Sequence, residues 1–222
     1  MPKLHGPRTY LRIIRWRFLG QPYNEPLVYK RIHRIHGRLF VDIGARNGIY
    51  TYPLAKHFHR VYAFEPDHQA AEQLTHNAPW NVIVYEQALS NTIGKTMLYQ
   101  DALLSKAGTG GSSTILETFE YRPAYGLGFD KVYEGKTGEM VTVNTYDNLF
   151  KGITADLVKI DVEGAEFLVL EGMKDSLAFR QVKNIVIELH DRLKHYALEE
   201  LLHRYGFRTE WLDPDHVYGS IQ

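Results

Sequence analysis

From residue 38 onward, short apolar segments alternate with amphipathic ones, and this alternation constrains the fold more than any other feature of the 222-residue chain. The pattern predicts strands at RLFVDI, RVYAFE and NVIVYEQAL. It predicts helices at the intervening segments GIYTYPLAKHF and DHQAAEQLTHN. Asp67 is the expected N-cap of the second helix. Strands alternating with helices predict an α/β fold with a doubly wound, mostly parallel sheet covered on both faces.

The second half of the chain resumes this pattern after an irregular stretch. DLVKID and VKNIVIELH predict strands, followed by helices in GAEFLVLEGM and in ALEELLHRYGF, which Gly206 should end. FRTEWL and DHVYGSI flank the turn DPD and predict paired strands, so the sheet should finish with an antiparallel C-terminal strand. In the irregular stretch, KTMLYQ and EMVTVNT predict a hairpin, and the Gly-, Ser- and Thr-rich residues 100–138 predict a mobile loop.

The composition is that of an ordinary globular protein and excludes functions that depend on cysteine. The hydrophobic fraction of 44% and the charged fraction of 23% are ordinary for a globular protein. The absence of cysteine excludes disulfides, thiolate metal sites and cysteine nucleophiles. No apolar run approaches the length of a membrane span, and no secretory leader is evident, so we expect a cytoplasmic protein.

Charge is distributed unevenly along the chain. Nine of the 26 Lys and Arg residues but only one of the 26 Asp and Glu residues lie in residues 1–38, which carry +8 while the remainder carries −8. We therefore predict a basic N-terminal arm or lid over residues 1–37 and one domain over residues 38–222. The arm contains TYLRIIRWRFLG, which we interpret as a short helix. It could contact nucleic acid or an anionic membrane, or fold back over the acidic body as a lid.

The turn after the first strand, DIGARNG, indicates the kind of ligand. It lacks the G-x-G-x-x-G spacing that brings a pyrophosphate to a helix N-terminus. Asp42 at the end of the strand would repel a pyrophosphate but suits the cationic S-adenosylmethionine, and Gly44 and Gly48 would let the backbone approach the ligand. Glu65, 21 residues beyond Gly44, ends the second strand, where an acid can accept hydrogen bonds from both ribose hydroxyls.

Several blocks together resemble the FkbM family of S-adenosylmethionine-dependent methyltransferases: VDIGARNGIYT, VYAFEPD, ALSNTIG, GGSSTI, LVKIDVEGAEFLVLEGM and IVIELH. The blocks span about residues 38–212, and K-x-D-x-E-G-x-E is the most specific of them. The resemblance implies the Rossmann-like sheet of class I methyltransferases. It also implies a cofactor site with the methionine portion at Asp42, Gly44, Ala45, Asn47 and Gly48, the ribose at Glu65 and Pro66, and the adenine at Gln87, Ala88 and Leu89. Arg46 stands where the family commonly has Asn.

KIDVEGAE and IVIELH supply the predicted catalytic residues Asp161, Glu163 and His190. The strand that ends at Asp161 should adjoin the first strand, so that Asp161 faces the sulfonium, with Glu163 near the acceptor. His190 has an ordinary pKa suited to a general base, and Glu188 is a further candidate. We expect Glu166 mainly to cap its helix, and Lys159 to pair with Glu188 between adjacent strands.

The spacing requires no metal, and we predict none. The alternative is a divalent cation such as magnesium held by Asp161, Glu163 and His190. The predicted function is an O-methyltransferase acting on a hydroxyl of a sugar, glycolipid or natural product. The alternatives are a nucleic-acid methyltransferase that uses the basic arm, or a non-catalytic cofactor-binding module. The sequence does not indicate an oligomeric state.

Overall fold

The computed structural model describes residues 25–100, 113–117, 120–121, 131–132 and 137–221. The strands are β1 (Gly37–Ile43), β2 (Phe58–Phe64), β3 (Val82–Tyr85), β4 (Ala88–Leu89), β5 (Gly94–Gln100), β6 (Ser113–Thr114), β7 (Glu120–Tyr121), β8 (Lys131–Val132), β9 (Thr137–Asn144), β10 (Leu157–Ile160), β11 (Asn184–Glu188), β12 (Arg208–Trp211) and β13 (His216–Ser220). The helices are α1 (Pro26–Ile32), α2 (Thr51–Ala55), α3 (His68–Asn77), α4 (Tyr146–Phe150), α5 (Glu166–Glu171), α6 (Lys174–Ala178) and α7 (His195–Arg204), with a 3-10 turn at Arg192–Lys194.

The main sheet has the strand order β12-β13-β11-β10-β1-β2-β3. The central pairs are parallel, whereas β13 runs antiparallel to both β11 and β12. The predicted mostly parallel sheet with an antiparallel C-terminal strand is thus confirmed. The chain builds outward from β1 through β2 and β3, then returns to the other side of β1 through β10. This reversal between β1 and β10 is where ligands bind in open α/β sheets.

Alternate residues of the central strands enter two different apolar clusters, one on each face of the sheet. In β1, Leu39, Val41 and Ile43 belong to one cluster, while Phe40 packs in the other with Val61 and Leu157. Helices cover both faces, as expected for strands that read as continuous apolar runs.

Some predicted elements differ in extent. The first predicted helix shortens to α2, because the chain turns at His57 and enters β2. The predicted third strand divides, because the Gln87 N–H donates to the Tyr85 carbonyl and forms a turn before β4. β4 then joins a second sheet of order β4-β9-β5-β6, in which β5 and β9 form the predicted hairpin. Most of the loop predicted over residues 100–138 lies outside the described residues.

Part of the predicted N-terminal arm belongs to the folded body. Helix α1 buries Val28, Tyr29 and Ile32 in the core. The Arg31 guanidinium donates to Glu210 at 3.0 Å and lies 3.8 Å from the ring centroid of Tyr218, so this cation folds against the body. The helix predicted at TYLRIIRWRFLG lies outside the described residues. Among those the structure describes, no helix is long and apolar enough to cross a bilayer.

Candidate active site

A cavity of about 570 Å³ opens at the carboxyl ends of β1, β2 and β10, at the reversal of strand order. This volume is in the range of small-molecule and cofactor sites. Eight of the predicted cofactor residues line it: Gly44, Asn47, Glu65, Pro66, Gln87, Ala88, Leu89 and Asp161. Glu163, predicted to lie near the acceptor, lines it as well.

Glu65 is fixed before any ligand arrives. Its side chain is buried, and its two carboxylate oxygens accept backbone N–H groups from Arg46 at 2.7 Å and from Asp67 at 2.9 Å. Burial raises the pKa of Glu65 to about 7, although these two hydrogen bonds oppose the rise. Each oxygen keeps a second lone pair, so the carboxylate can accept hydrogen bonds from two vicinal hydroxyls.

The carboxylate of Asp42 is not part of the cavity lining. It is fully buried, accepts a hydrogen bond from the Thr51 hydroxyl at 2.6 Å and lies 3.7 Å from the Lys159 ammonium. Side chains alternate between the faces of a strand, so Asp42 lies on the same face of β1 as the buried Phe40, while Ile43 on the other face lines the cavity. Ala45 and Gly48 are also buried outside the lining. In this geometry Asp42 supports the turn from behind.

The two glycines of the turn serve packing within the protein. Gly44 has φ 78°, and a Cβ there would lie 1.7 Å from the carbonyl oxygen of Asp161. A Cβ at Gly48 would meet the ring of Tyr52 and the side chain of Leu74. We expected both glycines to make room for the ligand. Both also make room for neighbouring residues, and Gly44 lies in the cavity lining as well.

Asp161 lies at the tip of β10 and faces the cavity beside β1, as predicted. Its carboxylate accepts a hydrogen bond from the Lys159 ammonium at 3.0 Å. Burial opposes ionisation, but Lys159 and His190 outweigh it and lower the pKa of Asp161 to about 2. Asp161 is therefore anionic throughout the physiological range. The expected Lys159–Glu188 pair is wrong, because Lys159 lies opposite Asp42 in the β1–β10 register and pairs with Asp42 and Asp161.

His190 lies among carboxylates. Its ring is buried, with Nδ1 2.8 Å from Glu166 and Nε2 3.4 Å from Glu163 and 3.6 Å from Glu188. Burial alone would lower the pKa of His190, but the carboxylates, Glu166 foremost, raise it well above the ordinary value. These contacts favour the imidazolium over the neutral imidazole, which is the form that a general base requires.

Glu166 lies at the start of its helix, as expected, and also contacts His190, which the sequence did not reveal. It begins α5 and accepts the Gly164 N–H at 2.8 Å. The same oxygen holds His190. Sequence reasoning also missed His216, Glu25 and the cavity contribution of the hairpin, where Gln100 and Glu139 line the wall. The hairpin pattern could have indicated the last of these.

Comparison with known proteins supports one family. The model of the methyltransferase FkbM domain matches residues 42–209. Hexuronic acid methyltransferase AglP from Haloferax volcanii is 29% identical over 173 residues, which cover 73% of this chain and 62% of AglP. The crystal structure of methyltransferase FkbM from Methylobacillus flagellatus KT superposes with a TM-score of 0.56 at 15% identity, covering 98% of this chain and 56% of that one.

The chain thus spans about three fifths of the length of these two proteins. The structural likeness supports the fold, a Rossmann-like α/β sheet. The family model covers most of the domain and includes the turn after β1, the acid at the end of β2 and the KIDVEGAE block. On this match the chain belongs to the FkbM methyltransferase domain family.

Proposed function

We propose that the protein is an S-adenosylmethionine-dependent O-methyltransferase acting on a hydroxyl group of a sugar, a glycolipid or a natural product. The observation that carries the proposal is the pair of acids Glu65 and Asp161, which line one cavity at the tips of β2 and β10. One is held ready for a ribose, and the other is a permanent anion suited to a cationic ligand. The name of AglP, a hexuronic acid methyltransferase, supports a sugar acceptor.

The cavity lining offers a contact for each part of this cofactor. Glu65 would bind the ribose hydroxyls, Gln87, Ala88 and Leu89 would flank the adenine, and Asn47 and Asp161 would face the methionine portion. The anionic Asp161 matches the ammonium and sulfonium charges, while a phosphate at that position would be repelled. Bound there, S-adenosylmethionine would supply an electrophilic methyl group. Asp42, Ala45 and Gly48 would support this wall from behind.

We propose Glu163 as the group that accepts the proton of the acceptor hydroxyl. Glu163 lines the cavity next to Asp161 and has φ 53°, a left-handed backbone that non-glycine residues rarely adopt. Such a conformation at the wall of a cavity is typical of functional sites. His190, 3.4 Å away, would orient the Glu163 carboxylate. Asp161 would hold the cofactor so that sulfonium, methyl group and acceptor oxygen lie in line.

The proposal needs no metal for this step. Asp161, Glu163 and His190 each offer a donor atom, all within 4.8 Å of one another, and could hold a cation. However, the Lys159 ammonium lies 3.0 Å from Asp161 and already supplies positive charge there. A magnesium requirement is therefore the less favoured reading of this cluster.

Labelled methyl transfer to a panel of acceptors tests the proposal. Uronic acid glycans, neutral sugars and small alcohols form the panel, with RNA to test the nucleic-acid alternative. Glu163→Gln should bind cofactor normally while its turnover falls about 10²–10⁴-fold, the usual contribution of a general base. Glu65→Gln should weaken cofactor binding at least about tenfold, since hydrogen bonds to a charged group contribute about 1.5–3 kcal/mol each.

The matched control for Glu65→Gln is Glu72→Gln, an exposed acid on α3. Circular dichroism and a thermal melt would establish that each variant remains folded. Normal cofactor affinity in Glu65→Gln would contradict the assigned ribose site. Methylation of RNA alone would overturn the proposed sugar, glycolipid or natural-product acceptor in favour of a nucleic acid, and unchanged turnover in Glu163→Gln would remove Glu163 from the mechanism.

A further inference from the structure

A second group of potential ligand atoms lies beside the cavity but outside its lining. Glu25 precedes α1, Glu188 ends β11, and His216 begins β13 directly opposite Glu188 in the antiparallel register. His216 Nε2 lies 3.3 Å from Glu25 Oε2 and 3.4 Å from Glu188 Oε2. All three donor atoms lie within 4.8 Å of one another.

The histidine ring is held so that one nitrogen faces the two carboxylates. Asp213 contacts His216 Nδ1 at 2.8 Å and also accepts the backbone N–H of His216. His216 is only 7% exposed, and its Nε2 contacts the Glu25 and Glu188 carboxylates without a well-aligned hydrogen bond to any described residue. A carboxylate behind Nδ1 is the usual support of a metal-binding histidine, because it fixes the ring and directs the free nitrogen.

The surroundings carry more negative than positive charge. Ion pairs within 4.0 Å connect seven carboxyl groups to only three side chains that can be cationic, counted over the residues that the structure describes. The acids are Glu25, Asp42, Asp161, Glu163, Glu166, Glu188 and Asp213, and the cations are Lys159, His190 and His216. Among these described side chains the carboxyl groups outnumber the cations even with both histidines protonated, and a metal ion bound at His216 would displace the proton from Nε2.

We propose that Glu25, Glu188 and His216 bind a divalent cation, with Asp213 as the group that orients His216. Ligand atoms about 2.0–2.2 Å from a tetrahedral metal lie about 3.3–3.5 Å apart, which matches the contacts of His216 Nε2. One imidazole nitrogen with two carboxylate oxygens suits Zn²⁺ or Mn²⁺ better than Ca²⁺ or Mg²⁺. The Tyr50 hydroxyl donates to Glu25 and would fix that ligand.

This site is distinct from Asp161, Glu163 and His190, although Glu188 connects the two groups. The second carboxylate oxygen of Glu188 lies 3.6 Å from His190 Nε2. A cation on Glu188 would therefore neutralise charge next to the proposed catalytic residues. It would also link the start of α1 to the adjacent strands β11 and β13 of the main sheet.

The test uses the tag-free 222-residue chain, stripped of metal with a chelator, without cofactor. We expect elemental analysis and calorimetry to find one equivalent of Zn²⁺ or Mn²⁺ and a higher melting temperature with metal, while Mg²⁺ and Ca²⁺ bind at least about tenfold more weakly. Asp213→Asn should weaken binding about 10–100-fold, the usual effect of removing the group behind a ligand histidine. His216→Gln and Glu25→Gln should abolish the stoichiometric site.

His68→Gln is the matched control, because His68 also lies 3.0 Å from a carboxylate, that of Glu86, but on the exposed surface. It should bind metal normally. Glu25→Gln is nearly isosteric and keeps the test decisive if His216→Gln does not fold. Absence of stoichiometric binding, or equal binding in Glu25→Gln, would overturn the proposal. Binding that is lost only in Asp161→Asn would also overturn it, since the cation would then occupy the neighbouring group.

Discussion

Glu65 is the residue whose ionisation bears most directly on ligand binding. Burial raises the pKa of Glu65 to about 7, and the anion is the form that accepts hydrogen bonds from both ribose hydroxyls. Raising the pH through 7 should therefore strengthen binding. Binding at pH 6 should be about tenfold weaker than at pH 8, because only about a tenth of the free protein then carries the anion. Calorimetry with adenosine at pH 6, 7 and 8 measures this without interference from the methionine charges. Equal affinity at pH 6 and 8, or the same pH dependence in Glu65→Gln, would contradict this role.

At the scale of the element, the turn between β1 and α2 is shaped by its contact with the end of β10. Gly44→Ala introduces a Cβ 1.7 Å from the Asp161 carbonyl at φ 78°, so the two strand ends must separate. Gly152 is the matched control: it has φ 77° and no neighbour within 4 Å of a Cβ. We expect Gly152→Ala to cost about 1–2 kcal/mol, the price of the left-handed conformation, and Gly44→Ala to cost more and to weaken cofactor binding. Urea denaturation and calorimetry measure the two effects; equal losses would show that the close contact is unimportant.

The elements also show which features a sequence can reveal. The alternation of strands and helices in the sequence predicts that β10 and β2 both lie next to β1. It therefore also predicts that Asp161 and Glu65, at the ends of those strands, lie around one cavity. Whether the Asp42 carboxylate reaches the cavity depends on whether β1 ends at residue 42 or 43. An apolar run in a sequence does not define the end of its strand to one residue. The raised pKa of His190 could not be predicted, because it depends on contacts with Glu166, Glu163 and Glu188 that form only in the folded chain. Likewise, nothing in the sequence brings Glu25 beside His216.

At the scale of the whole molecule, the sheet consists of two halves that meet at β1 and β10, and Lys159 lies buried at that junction. Its ammonium pairs with Asp161 at 3.0 Å and with Asp42 at 3.7 Å. Lys159→Met would remove this partner from the fully buried Asp42 and from Asp161 at the cavity wall, and breaking a buried ion pair costs about 3–5 kcal/mol. Lys183→Met is the control, because Lys183 pairs with Asp156 at 2.7 Å but its side chain is 56% exposed, so it should cost no more than about 1 kcal/mol. Chemical denaturation should therefore separate the two variants clearly. If Lys159→Met were as stable as Lys183→Met, the charges at the junction would not hold the halves together, and packing of the two apolar faces alone would have to do so.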